Sequence, residues 1–343
     1  MASHRRPKQP TRTRVTVLTA TAAAAVALSS QSAMAAPDKP TKDEVKTKVD
    51  ALYEEAEQAT EKFNGAREHQ EKLEKEIAQL QDQVARGQGE LNDLRNTLGS
   101  MAAAQYRGGG VDPSVALLLS GDPETYLDKA ATLQQLSGKQ LEAISKIQAK
   151  RRALAQQRQE ATGKLADLDA TRKELGEKKK AAQDKLAEAQ ALLNTLTAQE
   201  RSQLKDEEAK ESKAGRAASE SAAPAASASG RAGAALAAAK TKLGSAYIMG
   251  ATGPSAYDCS GLTQWAYGQA GVSITRTTYT QANDGTRIGR SQLQPGDLVF
   301  FYDDLHHVGL YAGNNMTLHA SNPRGGVKYE SMDNMPFQFG VRV

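Results

Sequence analysis

The sequence predicts a chain of two unlike parts: an all-α antiparallel coiled-coil hairpin over residues 41–211 and a small α+β domain over residues 233–343. Three observations predict this. An apolar residue recurs in steps of four and three from Val45 to Met101. The repeat then breaks at glycines and a proline and resumes in a second apolar series. Past an Ala/Ser/Gly-rich stretch at 212–232, tyrosines, the only tryptophan (Trp265) and short strand-like runs replace the helical pattern.

Residues 1–35 precede both parts and read as a secretory signal peptide. Arg5, Arg6, Lys8, Arg12 and Arg14 form a basic start, residues 15–28 a short apolar run, and Ala33-Met34-Ala35 a small-x-small cleavage site. The run is shorter than the roughly 18 residues a membrane span needs. Arg5-Arg6 leaves the export route open, because no apolar residue follows the pair closely. Cleavage would remove five basic and no acidic residues, leaving 39 against 40. The apparent basicity belongs to the signal, so charge gives no reason to expect a nucleic-acid partner. The mature chain is expected to be secreted, outside the cytoplasm.

In the first arm the repeat runs Val45, Val49, Leu52, Ala56, Ala59, Phe63, Ala66, Gln70, Leu73, Ile77, Leu80, Val84, Gly87, Leu91, Leu94, Leu98, Met101. Fifteen of these seventeen positions are hydrophobic, far above the 39% of the chain as a whole, which specifies a left-handed coiled coil. The second series runs from Ile144 and Ile147 through Leu154, Ala161, Leu165, Leu168, Leu175, Ala182, Leu186, Ala189 and Leu193 to Leu196. Arg107-Gly108-Gly109-Gly110-Val111-Asp112-Pro113 ends the first helix, and Asp112-Pro113 and Asp122-Pro123 each suit an N-cap followed by proline. The tip is therefore expected near residues 107–125, each arm being about 85–100 Å long at 1.5 Å per residue. A parallel homodimer of one arm is the alternative. Val115, Leu117, Leu118 and Leu119 at the tip either close the end of the coil or form an exposed docking patch. Residues 212–232 are too poor in large apolar groups to pack and read as a flexible linker.

The last domain holds Cys259, the only cysteine, and three of the five histidines, His306, His307 and His319. An exported protein with one thiol cannot form an internal disulfide, so the thiol is buried, cross-linked between chains, or reactive. Asp258-Cys259-Ser260-Gly261-Leu262 reads as a loop entering a helix, with Leu262, Ala266 and Ala270 at helical spacing and Gly271 as C-cap. In the first turn a thiolate is stabilised by unpaired N–H groups and by a neighbouring imidazolium. Residues 298–302, 306–311 and 317–320 read as three strands. Side chains alternate along a strand, so only one of His306 and His307 can serve the thiol, and pattern alone does not choose. A third polar group on the adjacent strand would orient that imidazole. No Cys/His pair has the spacing of a zinc site, so neither metal nor cofactor is expected.

Together, Asp258-Cys259-Ser260-Gly261-Leu262, Leu293-Gln294-Pro295-Gly296-Asp297-Leu298-Val299-Phe300-Phe301, His307-Val308-Gly309-Leu310-Tyr311 and Leu318-His319-Ala320 resemble the NlpC/P60 family. The resemblance implies a papain-like fold, a helix bearing the Cys packed on an antiparallel sheet, and a cysteine peptidase of peptidoglycan stem peptides. It implies Cys259 as nucleophile, His307 as general base and His319 as orienting residue, and leaves His306 without a role. Asp258, Ser260 and Tyr247 are implied as substrate-pocket residues. The family's Pro-Tyr-x-Trp-Gly-Gly stretch reads Ala246-Tyr247-Ile248-Met249-Gly250-Ala251 here, so Met249 stands where the tryptophan would. Ile274-Thr275-Arg276-Thr277 with Gln281 also resembles a family block; Arg276 reads equally as surface charge or substrate contact. The hairpin resembles that of exported wall hydrolases, some of which block their own site and dock on a membrane complex of the FtsEX type.

The implied function is a D,L-endopeptidase cutting between D-glutamate (or D-isoglutamine) and the diamino acid, and the coil is expected to restrain the catalytic domain. A non-catalytic wall-binding or division scaffold, and an amidase with the same triad, are the other readings.

Overall fold

The computed structural model describes residues 39–107, 115, 118, 119, 123–221 and 230–343. The signal at 1–35, the caps at Asp112 and Asp122, Leu117 and the middle of the expected linker lie outside the described residues. Residues 41–343 form one compact unit. None of the described helices is long and apolar enough to cross a membrane.

Two helices make the hairpin: α1 (Lys42–Arg107) and α2 (Pro123–Thr195). Cross-arm ion pairs run Glu55 to Lys185, Glu74 to Arg172, Glu76 to Lys164 and Glu90 to Lys150, descending along α2 as they climb α1. The arms are therefore antiparallel. Val45, Val49, Leu52, Ala56, Leu73, Ile77, Leu80 and Leu91 of the first repeat are buried, as are Leu154, Leu168, Ala182, Ala189, Leu193 and Leu196 of the second. Ile144 and Leu165 depart from the expected seam and stand exposed, as do Val115, Leu118 and Leu119.

The second arm is not one helix. It ends at Thr195 and restarts as α3 (Ala198–Glu220). Thr197 caps the restart: its side chain accepts from the Glu200 N–H, while the Glu200 carboxylate accepts from the Thr197 N–H at 2.7 Å.

The linker expected at 212–232 is corrected at both ends. Residues 212–220 belong to α3, and Arg231 opens α4 (Arg231–Lys240). The small side chains that suggested a flexible tether instead allow close packing on the sheet. A Cβ on Gly215 would lie 2.4 Å from Met316 Cε, and Ser219 Oγ donates to the Ala312 carbonyl at 2.7 Å.

The C-terminal domain carries a two-stranded parallel ribbon, β1 (Ala246–Tyr247) with β2 (Ala256–Tyr257). The helix α5 (Cys259–Gln269) and the short α6 (Thr278–Gln281) follow. The main sheet contains β3 (Thr286–Ile288), β4 (Leu298–Phe301), β5 (His307–Gly313), β6 (Met316–Ala320), β7 (Val327–Ser331) and β8 (Phe337–Arg342). Its order is β3-β8-β4-β5-β6-β7, antiparallel throughout. The three predicted strands are β4, β5 and β6. Asn314 and Asn315 both take positive φ in the turn from β5 to β6, the geometry a tight hairpin requires. α4 and α5 lie on one face of the sheet, where Leu236, Leu262, Tyr267, Leu298, Phe300, Val308, Leu310, Leu318 and Tyr329 share one core. This is the expected α+β papain-like arrangement: a helix that begins at the cysteine, packed on an antiparallel sheet.

Candidate active site

Cys259 is the first residue of α5, and Asp258 is its N-cap, the carboxylate accepting from the Gly261 N–H at 2.7 Å. Gly261 lets the turn pass under the loop before it, since a Cβ there would sit 2.1 Å from the Ala251 carbonyl oxygen. His307 opens β5 and His319 lies on β6 beside it. Their rings meet through His307 Nε2 and His319 Nδ1 at 2.6 Å, and His319 Nε2 reaches Glu330 Oε2 on β7 at 3.2 Å. Sγ of Cys259 and a ring nitrogen of His307 lie within 4.8 Å of each other. Cys259, His307 and His319 are thus brought together.

Strand alternation separates the two adjacent histidines, as expected. His306 is fully buried, stacked on Tyr302 with ring centroids 4.2 Å apart and paired with Asp304. It offers Cys259 only its backbone carbonyl, 3.9 Å from Sγ.

The other expected pocket residues converge on the same place. Asp258 Oδ2 accepts from Arg276 at 2.6 Å, the Gly250 N–H at 2.9 Å and Asn64 at 3.0 Å. Ser260 Oγ accepts from Arg276 at 2.7 Å, and Tyr247 is buried near the thiol. Arg276, 7% exposed, is no surface charge; it is the buried counter-ion of Asp258. Gln281 donates to the Ser260 and Thr275 carbonyls at 2.9 Å and fixes the start of α5.

Sequence reading missed the residues that α1 contributes. Tyr53, Glu57, Thr60, Glu61 and Asn64 form a second buried stripe, offset from the coiled-coil seam and turned to the C-terminal domain. The only trace of it in the sequence is helical spacing of mixed polar residues, which reads as an ordinary solvated face. Glu57 Oε1 meets His307 Nδ1 at 2.5 Å. Glu61 Oε1 accepts from Ser260 Oγ at 2.6 Å and lies 3.7 Å from Cys259 Sγ. Its other oxygen accepts from the Thr278 N–H at 2.9 Å. Beside these contacts a cavity of about 360 Å³ remains, lined among others by Tyr53, Glu57, Tyr302, His307 and His319.

This environment sets the charges. Burial first, then the carboxylates of Glu57, Glu61 and Asp258, push the Cys259 thiol well above its ordinary value. Burial disfavours an imidazolium at His307, but the Glu57 charge and hydrogen bond outweigh it and raise His307. Burial pushes His319 down to about 4, leaving it neutral. Burial would raise Glu330, yet its bonds to His319 and Lys328 hold it well below the usual carboxylate range. Burial and the nearby Asp258 push Glu61 up to about 7. In this state His307 is paired with Glu57, and the thiol keeps its proton.

Known proteins resemble this domain. Residues 244–341 match the model of the NlpC/P60 family. A protein of Corynebacterium glutamicum named "Probable endopeptidase" is 52% identical over 105 residues, 31% of this chain and 50% of that one. The "Probable endopeptidase p60" of Listeria monocytogenes is 43% identical over 99 residues, 28% of this chain and 20% of that one. The chain thus spans half or less of the length of these relatives. Among solved structures, the NlpC/p60 domain of peptidoglycan hydrolase SagA is 34% identical, with a TM-score of 0.32, covering 33% of this chain and 98% of that one. The helix α1 that closes over Cys259 lies outside the matched segment, and residues 244–341 are an NlpC/P60 family domain.

Proposed function

We propose that this protein is an exported cysteine peptidase of the cell wall. It cleaves peptidoglycan stem peptides between D-glutamate (or D-isoglutamine) and the diamino acid, and the coiled coil holds it latent. The observation that carries this reading is the Glu61 side chain, seated against Ser260 and Thr278 beside Cys259. A chain of two methylenes ending in a carboxylate is what hydrolysis of a γ-glutamyl bond leaves on the acyl side. The site is therefore occupied by a group shaped like its product.

With α1 withdrawn, His307 Nδ1 is free to take the Cys259 proton. The thiolate attacks the γ-carbonyl, and backbone N–H groups at the start of α5 stabilise the oxyanion. His307 then protonates the leaving amine of the diamino acid, and water attacks the acyl-enzyme with the same imidazole as base. His319, neutral and tied to Glu330, holds the His307 ring in place. Asp258, Ser260 and Tyr247 line the acyl-side pocket. The exposed Val115, Leu118 and Leu119 at the hairpin tip support docking on a membrane division or transporter complex that pulls the coil away.

The test is mass spectrometry of the fragments released from peptidoglycan by the full chain carrying Glu57→Ala and Glu61→Ala, with and without Cys259→Ala. The expected products are cut between the glutamyl residue and the diamino acid and vanish without Cys259. Release of whole stem peptides would make it an amidase; no product from a folded, thiol-reactive protein would favour a binding scaffold.

A further inference from the structure

We propose that Glu57, Cys259 and His307 form an inhibitory site for zinc or a similar thiophilic divalent cation, complete only when α1 is docked. The site does not depend on which bond the enzyme cuts. One ligand atom from each residue lies within 4.8 Å of the others, and all three residues are buried. A thiolate, an imidazole and a carboxylate are the sulfur, nitrogen and oxygen donors that a tetrahedral zinc ion accepts. No spacing rule reveals the set, because its carboxylate comes from the coil and its other two members from the C-terminal domain.

Two further observations point to a cation. The first is the support behind the imidazole. His307 Nε2 is held by His319 Nδ1 at 2.6 Å, and His319 by Glu330 at 3.2 Å. A hydrogen-bonded relay ending in a carboxylate is how metal-binding histidines are commonly oriented, and here it aims Nδ1 at Glu57 and Cys259. The second is charge. Glu57, Glu61 and Asp258 place three buried carboxylates around the thiol, and Arg276 is the buried guanidinium bonded to this group. Arg276 offsets Asp258, and a divalent cation would take over from the His307 proton in offsetting Glu57 while also facing Glu61.

Binding exchanges protons for metal. The Sγ–H proton and the Nδ1–H proton shared with Glu57 leave to water, and the ion bonds to the three vacated lone pairs. Bonds of about 2.0–2.3 Å require Glu57 Oε1 to move from its 2.5 Å contact with Nδ1 by about 1 Å. The fourth position falls to Glu61, whose Oε1 is 3.7 Å from Sγ, or to water from the adjoining cavity. That cavity reaches Glu57 and His307 and gives the ion a way in. A bound ion would cross-link coil to nucleophile, so activation would require its removal as well as withdrawal of the coil.

The experiment titrates the full chain, stripped of metal by a chelator, with cobalt(II) and then zinc. One equivalent of cobalt should give a near-ultraviolet thiolate charge-transfer band, and zinc should displace it and raise the Tm. Glu57→Gln should weaken zinc binding at least about tenfold in chelator competition, and Cys259→Ser should abolish the band. A missing band, or a Glu57→Gln protein that binds zinc as tightly as wild type, would overturn the proposal. If Glu57→Gln fails to fold by circular dichroism, X-ray absorption of the wild-type zinc form decides. One sulfur among nitrogen and oxygen neighbours supports the site, and a shell without sulfur rejects it.

Discussion

At Cys259, helix placement and burial pull in opposite directions. The first turn of α5 favours a thiolate, but three carboxylates in a water-excluded pocket disfavour it more, so the docked state keeps the thiol protonated. Removing the thiol should abolish cleavage while moving the Tm little, because Cys259→Ala keeps the helix start and loses one small buried group; differential scanning calorimetry beside an activity assay checks both. His319→Gln should retain binding and lower kcat by an order of magnitude or more, with KM nearly unchanged, since in the proposed reaction it orients the base without touching substrate. Alternation did not choose between His306 and His307, and the roles of His307 and His319 came from the family resemblance; Cys259 was legible as part of a loop entering a helix. Glu57, Glu61 and Glu330 were not. Their roles depend on which face of an element is covered, and a glutamate on a long polar helix looks the same whether it meets water or a nucleophile.

At the scale of elements, the coiled-coil seam was readable because a heptad repeat encodes its own partner geometry. The place where the second arm breaks was not, because the apolar series continues through Leu196 into the turn and the capping box at Thr197 is only four residues long. Thr197→Ala should remove it and cost about 1 kcal/mol in urea denaturation. The nature of residues 212–220 was misread for a related reason: small residues suit both a flexible tether and a tight helix–sheet contact. Arg324 ties the assembly together, donating to Glu208 of α3 at 2.6 Å and Asp50 of α1 at 2.7 Å. Its side chain is 7% exposed, so loss of the guanidinium leaves the largely buried Glu208 without this counter-ion and releases the more exposed Asp50. Arg324→Ala should therefore loosen the coil from the domain, raising the alkylation rate of Cys259 in the folded protein while lowering the Tm.

Across the whole molecule, docking of the coil is coupled to protons. Glu61 is raised to about 7 in the docked state, so docking is favoured where its carboxyl can be protonated and weakens as pH rises from about 4.5 to about 7. His307 is also raised, through Glu57, and its share is fully present below its ordinary value near 6.5 and lost above the raised one. Other ionisable groups facing these two include Cys259, Asp258, Arg276, Tyr247, Tyr279, Tyr302, His319, Lys328 and Glu330. Both shifts have the same sign, so the activity of the wild type relative to the Glu57→Ala/Glu61→Ala protein should climb between pH 5 and 8. A ratio that falls over that range would reverse the assignment of the closing groups. The two-part architecture was legible from periodicity and composition, but the contact between the parts was not, because no local pattern marks a polar interface that forms only when the chain folds back.

The most direct test of the proposed cysteine peptidase, closed by its own coil, is the hydrolysis rate of a γ-D-glutamyl-diamino acid peptide by the full chain. Wild type would be compared with Glu57→Ala/Glu61→Ala, and with that pair combined with Cys259→Ala, at neutral pH and with metal chelated. The account predicts at least about a tenfold gain from clearing the two carboxylates, lost entirely with the thiol. Equal rates for wild type and the double variant, or turnover that survives Cys259→Ala, would contradict it.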